Sequence, residues 1–230
     1  MKRVLVITDD KKSSLNQCQA LIYYLKKQKK LNVQYKSIKK TSFHKFPNFF
    51  IYFCLFIKRF FKKNENNYHI IISCGRISAP YSLFLKKDNQ KCKNIHILDP
   101  YFARTKFDKI VIPSHDIKKV SRLSNTIETI GTLGNKKKLL KSEITKFNKI
   151  SSGKKIVSCF IGGDGRSSSF SVNDIDQLIK SINLISDNFK VVYCFSRRTS
   201  LSAKKRIKEK KKLSHSCYDY YDFNPILVFN

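Results

Sequence analysis

No stretch of this 230-residue chain stays apolar for the roughly 18 residues that a helix needs to cross a bilayer. A membrane-spanning helix is therefore not expected. Seven cysteines, at 18, 54, 74, 92, 159, 194 and 217, include no Cys-x-x-Cys pair and none at ligand spacing from the five histidines. That pattern speaks against a metal centre, and several of them stand in apolar runs as small hydrophobes. Their odd number, beside a start (Met1-Lys-Arg-Val-Leu-Val-Ile-Thr8) that reads as a strand and not as a secretory leader, points to a reducing cytoplasm. Acidic residues are scarce too, 16 against 47 basic ones, for a net charge of +31. Arginine is scarcer still, with 9 of those 47. Readers of base edges and bidentate binders of phosphate favour arginine. Here 38 lysines lie scattered beside asparagine and isoleucine, and no stacking aromatics interleave a basic stripe. Compositional drift accounts for the charge better than a nucleic-acid partner does. The charge still favours anionic partners, acidic lipid included.

What is present is a core and a rhythm. Apolar content of 41% suffices to bury a core, and 230 residues fit one large domain or two small ones. Strands are expected at Val4–Ile7, Val33–Ile38, His69–Ser73, 95–100 (ending in an acid and a proline), 107–116 (ending in polar side chains), Lys155–Ile161 and Lys190–Phe195, while 125–130 leads into Gly131-Thr-Leu-Gly134. Helices are expected over Leu15–Lys27 (capped by Ser13 or Ser14), 76–87, 136–149, from Ser171 or Asn173 onward, and over 202–213. Strands alternating with helices define an α/β fold with a parallel sheet. Ser151-Ser-Gly153 reads as a linker between a Rossmann-like domain over 1–150 and a second over 154–230. Only two strands are legible after 153, which would leave an unpaired edge near Val191–Phe195.

Polar motifs stand after most strands, the edge where open α/β sheets bind ligands. The run Tyr68–Pro80 passes from a β-branched strand through Gly75-Arg76 into a helix. It thereby presents backbone N–H groups, a helix dipole and a guanidinium together, as a phosphate site does. A plain strand–helix turn fits the same residues. Gly162-Gly-Asp-Gly165 is a second phosphate-loop candidate or a flexible turn. It lacks the Lys-Ser/Thr of a triphosphatase loop and the dinucleotide spacing, so no cofactor is expected. Ser196-Arg197-Arg198-Thr199 would suit a diphosphate, or is a solvated basic turn. His115-Asp116 is a candidate general base with its acid, although neighbours on an extended strand point apart. Asp99, before Pro100, either bonds a hydroxylated ligand or caps its turn. The run Phe49–Ile57, followed by Lys58 and Arg59, is too short to span a bilayer. It could lie in a membrane surface through Phe49, Phe50, Phe53 and Phe56 with Lys58 and Arg59 on acidic phosphates, or be a buried helix.

Taken in order, Thr8-Asp9 with Asn16-Gln17, Ser73-Cys-Gly-Arg76, Ser78-Ala-Pro80, Asp99-Pro100, Phe107-Asp108, Pro113-x-His115-Asp116, Gly131-Thr-Leu133, Ile161-Gly-Gly163 and Ser196-Arg-Arg-Thr199 resemble one family. It is the mitochondrial fission family named for elongated mitochondria, shared by plants and many bacteria. The resemblance implies a glycosyltransferase type B-like architecture, two Rossmann-like domains facing across a cleft. It implies a nucleotide-sugar or other phosphate ligand there, held by Thr8, Asp9, Gly75, Arg76, Asp99, Gly162, Gly163 and Ser196–Thr199. Plant members act at the mitochondrial outer surface in recruiting a dynamin-like GTPase, so the alternative is a non-catalytic membrane-surface adaptor. Two departures stand out. The loop Asp9-Asp10-Lys11-Lys12-Ser13 lacks the family's glycines, and the chain stops soon after Asn224-Pro225, as an incomplete second domain or an inactive truncated member would. The expected location is cytoplasmic, with peripheral attachment to the inner face of a membrane.

Overall fold

The computed structural model describes residues 1–59, 67–119, 123–134, 141–164, 170–185 and 187–219. The chain divides into two compact units, Met1–Lys136 and Lys137–Asn230. In the first, strands β1 (Lys2–Asp9), β2 (Leu31–Ile38), β3 (Ile70–Cys74), β4 (Lys93–Ile97), β5 (Lys109–Pro113) and β6 (Thr126–Thr129) form one sheet. Their order is β2-β1-β3-β4-β5-β6, and every pair is parallel. Helices α1 (Lys12–Gln28) and α3 (Ser78–Asp88) follow β1 and β3.

The two-residue period of a strand explains the apolar runs. Val4 and Val6 of β1 pack with Cys18 and Ile22 of α1. Leu5 and Ile7 face the other way and pack with Ile77 and Leu85 at α3. Both faces of β1 are covered, so its inner positions are apolar on both sides, whereas the flanking strands β2 and β6 are largely exposed and polar. Each such side chain contributes about 1.5–3 kcal/mol by leaving water. The helix α1 starts earlier than the serines suggest: Lys11 is its N-cap and makes no side-chain cap. The Lys11 amide donates instead to the Asp9 carboxylate (3.4 Å), and Ser14 is turned inward and buried.

Between β2 and β3 lies α2 (Asn48–Arg59), preceded by a short 3₁₀ turn at Ser42–Lys45. Its inner side buries Ile51 and sets Tyr52 against Phe102. Its first residue, the buried Asn48, donates to the carbonyls of Arg76 (2.8 Å) and Pro100 (3.1 Å). One side chain thus ties α2 to the turns after β3 and β4.

The second unit contains α4 (Lys141–Ser151), β7 (Lys155–Ile161), α5 (Val172–Asn183), β8 (Phe189–Phe195), α6 (Leu201–Lys210) and β9 (Ser216–Tyr218). The three strands run parallel in the order β7-β8-β9. Here the structure corrects the expectation of two strands with a bare edge at Val191–Phe195. That segment is the central strand, because Ser216–Tyr218 pairs with it. Both faces are covered: Val191, Tyr193 and Phe195 pack with α5 and α6, while Val192 and Cys194 pack with Ile150 of α4. Three residues carry too little periodicity to announce β9. Helix α5 opens on a capping box between Ser171 and Asp174, and α6 is capped by Ser200. Arg206 of α6 donates to Asp176 of α5 (Nε–Oδ1 2.8 Å), linking the two helices.

Replacing Asn48 with Ala would leave two inward-facing carbonyls unpaired, a loss of about 1–3 kcal/mol. The expected result is a lower melting temperature, with hydrogen exchange accelerated in 42–59 and little changed in β1 and β3. Uniform acceleration across the unit would contradict the local role given to Asn48.

Candidate functional site

In the first sheet the chain moves from β1 to one neighbour, β2, and then returns to the other, β3. The crevice between β1 and β3 is thus a topological switch point, the place where such sheets bind ligands. Thr8 and Asp9 end β1 there, and Gly75 follows β3. Gly75 has φ +87°, and a Cβ on it would stand 3.1 Å from Asp9 Oδ2 and 3.4 Å from Ser14 Oγ. Only glycine fits both the backbone and the gap.

The anion-binding elements expected at Gly75-Arg76 have other partners. The Gly75 amide donates to the Ile97 carbonyl (3.4 Å). The Arg76 guanidinium donates to the carbonyls of His44 and Phe46 and to Asn48 Oδ1 (3.1 Å). It clamps the segment before α2 onto the sheet edge. His44 completes this anchor, its Nδ1 accepting from the Thr41 amide (3.1 Å) and its Nε2 standing 3.0 Å from the Tyr81 hydroxyl. Burial, and then the Arg76 charge, push the His44 pKa below the usual histidine value. A guanidinium has five donors in a fixed fork, so one residue can satisfy several carbonyls. Those partners lie about 30 residues away in sequence, so the local motif does not reveal them.

Asp99 is likewise occupied. Arg104 grips both its oxygens (2.9 Å each) and the Tyr101 amide donates to Oδ1 (2.8 Å). Burial would raise its pKa, but the hydrogen bonds and charge of Arg104 and the Tyr101 amide prevail and lower it. Of the two roles open from sequence, Asp99 performs the turn-holding one, in a loop where Leu98, Tyr101 and Ala103 all have positive φ. His115 and Asp116 lie in a 3₁₀ turn after β5 and not in the strand. Their side chains are 63% and 57% exposed, with Nε2 3.7 Å from Oδ2. The pair faces solvent.

In the second unit the structure brings two predicted motifs together at the C-terminal strand edge. A Cβ on Gly163 would fall 1.9 Å from the Arg198 carbonyl oxygen, so the loops after β7 and β8 touch backbone to backbone. The hydroxyls of Ser196-Arg-Arg-Thr199 build this contact: Thr199 Oγ1 donates to the Ile161 carbonyl (2.7 Å) and Ser196 Oγ accepts from the Arg198 amide (3.1 Å). Arg197, Arg198 and Gly162 are exposed, and Gly162 has open space where a Cβ would be. Gly165 lies outside the described residues.

The aromatic helix α2 has an exposed side. Phe49 (68% exposed), Phe50 and Phe53 (51%) stand out, beside Phe46 and Ile57. Phe56 does not join them: it is half-buried, with Lys87 Nζ 4.1 Å above its ring. The side chains of Lys58 and Arg59 lie outside the described residues. Among the described residues no helix is long and apolar enough to cross a membrane.

Ser14, expected only as a helix cap, and Gln17 are buried on α1, and neither Gln17 nor the clamps Asn48 and Arg104 had a role assigned from sequence. The spacing of Ser14, Gln17 and Cys18 on the inward side of α1 is the signal that could have found the first two.

Two Rossmann-like parallel-sheet units place the chain in the glycosyltransferase type B-like fold class. Solved structures agree. S. aureus MnaA, in a co-structure with UDP, matches with a TM-score of 0.51 at 10% identity, covering 100% of this chain and 71% of that one. A Listeria monocytogenes protein described as a UDP-N-acetylglucosamine 2-epimerase matches with a TM-score of 0.54 at 8% identity, covering 99% and 71%. Identities this low establish a likeness of fold. No curated protein matches the sequence significantly. The sequence model of the family described as Mitochondrial fission ELM1 matches residues 14–229, and the chain belongs to that family.

The two adjacent glycines separate a packing role from an open one. Gly163→Ala should lower the melting temperature sharply, because backbone at 198 must move; overpacking of this kind costs about 1–3 kcal/mol. Gly162→Ala should be nearly silent. Equal effects in thermal unfolding would mean that the two loops do not touch.

Proposed function

We propose that this protein is glycosyltransferase-like and binds the diphosphate of a nucleotide-sugar on the loops Gly162–Gly163 and Ser196–Thr199. The observation that carries the reading is the closure of Gly163 on the Arg198 backbone. It sets a glycine-containing and a hydroxyl-rich strand end side by side, with Arg197 and Arg198 exposed beside them. Arginine forks match phosphate oxygens bidentately. The helix α6 begins directly after this loop, and its positive end favours an anion there. If sugar is transferred, an acceptor hydroxyl oxygen bonds to the sugar's anomeric carbon as the bond from that carbon to the phosphate oxygen breaks. The hydroxyl proton goes to a base, and the two arginines offset the charge that develops on the departing nucleoside diphosphate. His115 and Asp116, 3.7 Å apart on the first unit, are the candidate general base and its acid. The likeness in fold to a protein solved with UDP is consistent with this ligand class.

The ligand is tested directly by heat. UDP at 100 times its dissociation constant should stabilise the protein by about 2.7 kcal/mol. An Arg197→Ala/Arg198→Ala variant should lose that shift while melting normally without ligand. Absence of a shift with any nucleoside diphosphate, or an equal shift in the variant, would overturn the reading.

A second reading concerns place. The exposed aromatics of α2 and the overall charge of +31 suit peripheral attachment to an anionic membrane surface. Vesicles containing anionic lipid should bind the protein and release it as salt rises. Phe49→Ser/Phe53→Ser should abolish binding, whereas Phe56→Ser should act mainly on stability. Indifference to lipid charge together with full binding by the double variant would remove this role from α2.

A further inference from the structure

We infer that His44 is an acid-sensitive clasp, and that its protonation loosens the segment 42–59, with the aromatic helix α2, from the sheet edge of the first unit. The His44 side chain is 4% exposed and is bonded at both ring nitrogens. Nδ1 accepts from the Thr41 amide (3.1 Å) and lies 2.9 Å from Thr41 Oγ1, closing a box across the 3₁₀ turn. An amide nitrogen can only donate, so Nδ1 carries its lone pair and the ring proton sits on Nε2. That proton meets the Tyr81 hydroxyl of α3 at 3.0 Å, and the two rings stack with centroids 6.0 Å apart. The neutral ring, in this one tautomer, is the form that joins the turn to α3.

A second proton would enter at Nδ1, turn that acceptor into a donor and set it against the Thr41 N–H. Donation to Thr41 Oγ1 instead would leave the amide without its acceptor. The new charge would also stand beside Arg76, whose guanidinium is already bonded to the His44 carbonyl, to Phe46 and to Asn48. The groups facing the ring do not offset it. From α3 comes Tyr81, whose hydroxyl stays neutral because burial raises its pKa. From the turn after β3 comes Arg76, and from the segment itself come Phe43 and the neighbouring Lys45. Among the described residues, no carboxylate bonds to His44. The His44 pKa is lowered in the closed state, so the open state takes up the proton first. The clasp is therefore intact above the ordinary histidine value of 6.5 and weakens as pH falls below it.

His44, Arg76 and Asn48 together tie the start of α2 to α3 and to the turns after β3 and β4. Beyond Asn48 the helix buries Ile51 and sets Tyr52 on Phe102, while Phe49, Phe50 and Phe53 already stand out. Loosening this end adds apolar residues to a side that is exposed when the clasp is closed. Acid would thus strengthen attachment to a membrane surface, a consequence that rests on the membrane-surface reading of α2, whereas the clasp itself does not. A second buried histidine, His96, acts on a different opening. Burial within the sheet pushes its pKa down to about 3, so acid also weakens the sheet as a whole. That loss belongs to global unfolding and persists when His44 is replaced.

The experiment uses the full chain, unaltered and as His44→Asn, which keeps an acceptor near the place of Nδ1 but cannot titrate. In the unaltered protein, NMR of labelled histidine should show His44 as the Nε2–H tautomer, titrating below 6.5. Hydrogen exchange is compared at about pH 7.5 and about pH 5.5, to either side of the ordinary histidine value, after correction for the intrinsic rate. Protection of 42–59 should fall several-fold at the lower pH, with a ceiling of about tenfold over this interval. In His44→Asn the same segment should be less protected at the higher pH and lose nothing further at the lower one. The inference is overturned if His44 titrates at 6.5 or above, if its proton sits on Nδ1, or if 42–59 responds to pH equally in both proteins. The NMR titration needs no variant, so it decides even if His44→Asn fails to fold. Vesicles of phosphatidylcholine and phosphatidylglycerol in equal parts test the membrane consequence separately. The gain in binding at the lower pH should be smaller in His44→Asn. Acid-dependent exchange without vesicle binding at either pH supports the clasp and removes the membrane role of α2. Vesicle binding with pH-independent exchange removes the clasp alone.

Discussion

At the C-terminal edge of each sheet, one turn closes against its neighbour because a Cβ is missing. Gly75 sits against the Asp9 carboxylate, and Gly163 sits against the carbonyl of Arg198. The same device has opposite chemical results. In the first unit it brings a negative charge and hydroxyls into a buried crevice. In the second it leaves two arginines exposed around a backbone contact that hydroxyls hold in place. The polar character of each edge follows from which residue the glycine allows to approach.

The arginines show how little a net charge says about binding. Arg76 holds the segment before α2, Arg104 holds the turn after β4 through Asp99, and Arg206 joins α5 to α6 through Asp176. These three act as internal braces whose donors meet carbonyls or carboxylates. Arg197 and Arg198 remain exposed at a strand end. A charge of +31 thus resolves into many solvated lysines, a few structural guanidinium groups and one basic turn.

The helix α2 shares its apolar residues between two environments. Ile51 is buried and Tyr52 packs on Phe102, while Phe49, Phe50 and Phe53 face outward. Both readings open from sequence, core helix and surface aromatic helix, therefore describe parts of one element. Asn48 and Arg76 fix its start to the sheet edge, so the outward side is presented in a definite place on the first unit.

By itself the sequence determined the class of fold, because β-branched runs alternating with amphipathic segments admit little besides a parallel sheet covered on both faces. It also placed the polar motifs at strand ends, since Thr8-Asp9, Gly75-Arg76, Gly162-Gly163 and Ser196–Thr199 each follow an apolar run. Tertiary structure decided what those motifs do. It tied Arg76 to residues about 30 positions earlier, gave Asp99 to Arg104, moved His115 into a solvent-facing turn and paired Ser216–Tyr218 with β8. It also turned Ser14 inward against Gly75 and buried Gln17. Period and propensity are local and can be read along the chain. The partner of a guanidinium, a carboxylate or a three-residue strand is chosen by whatever folding brings within about 3 Å.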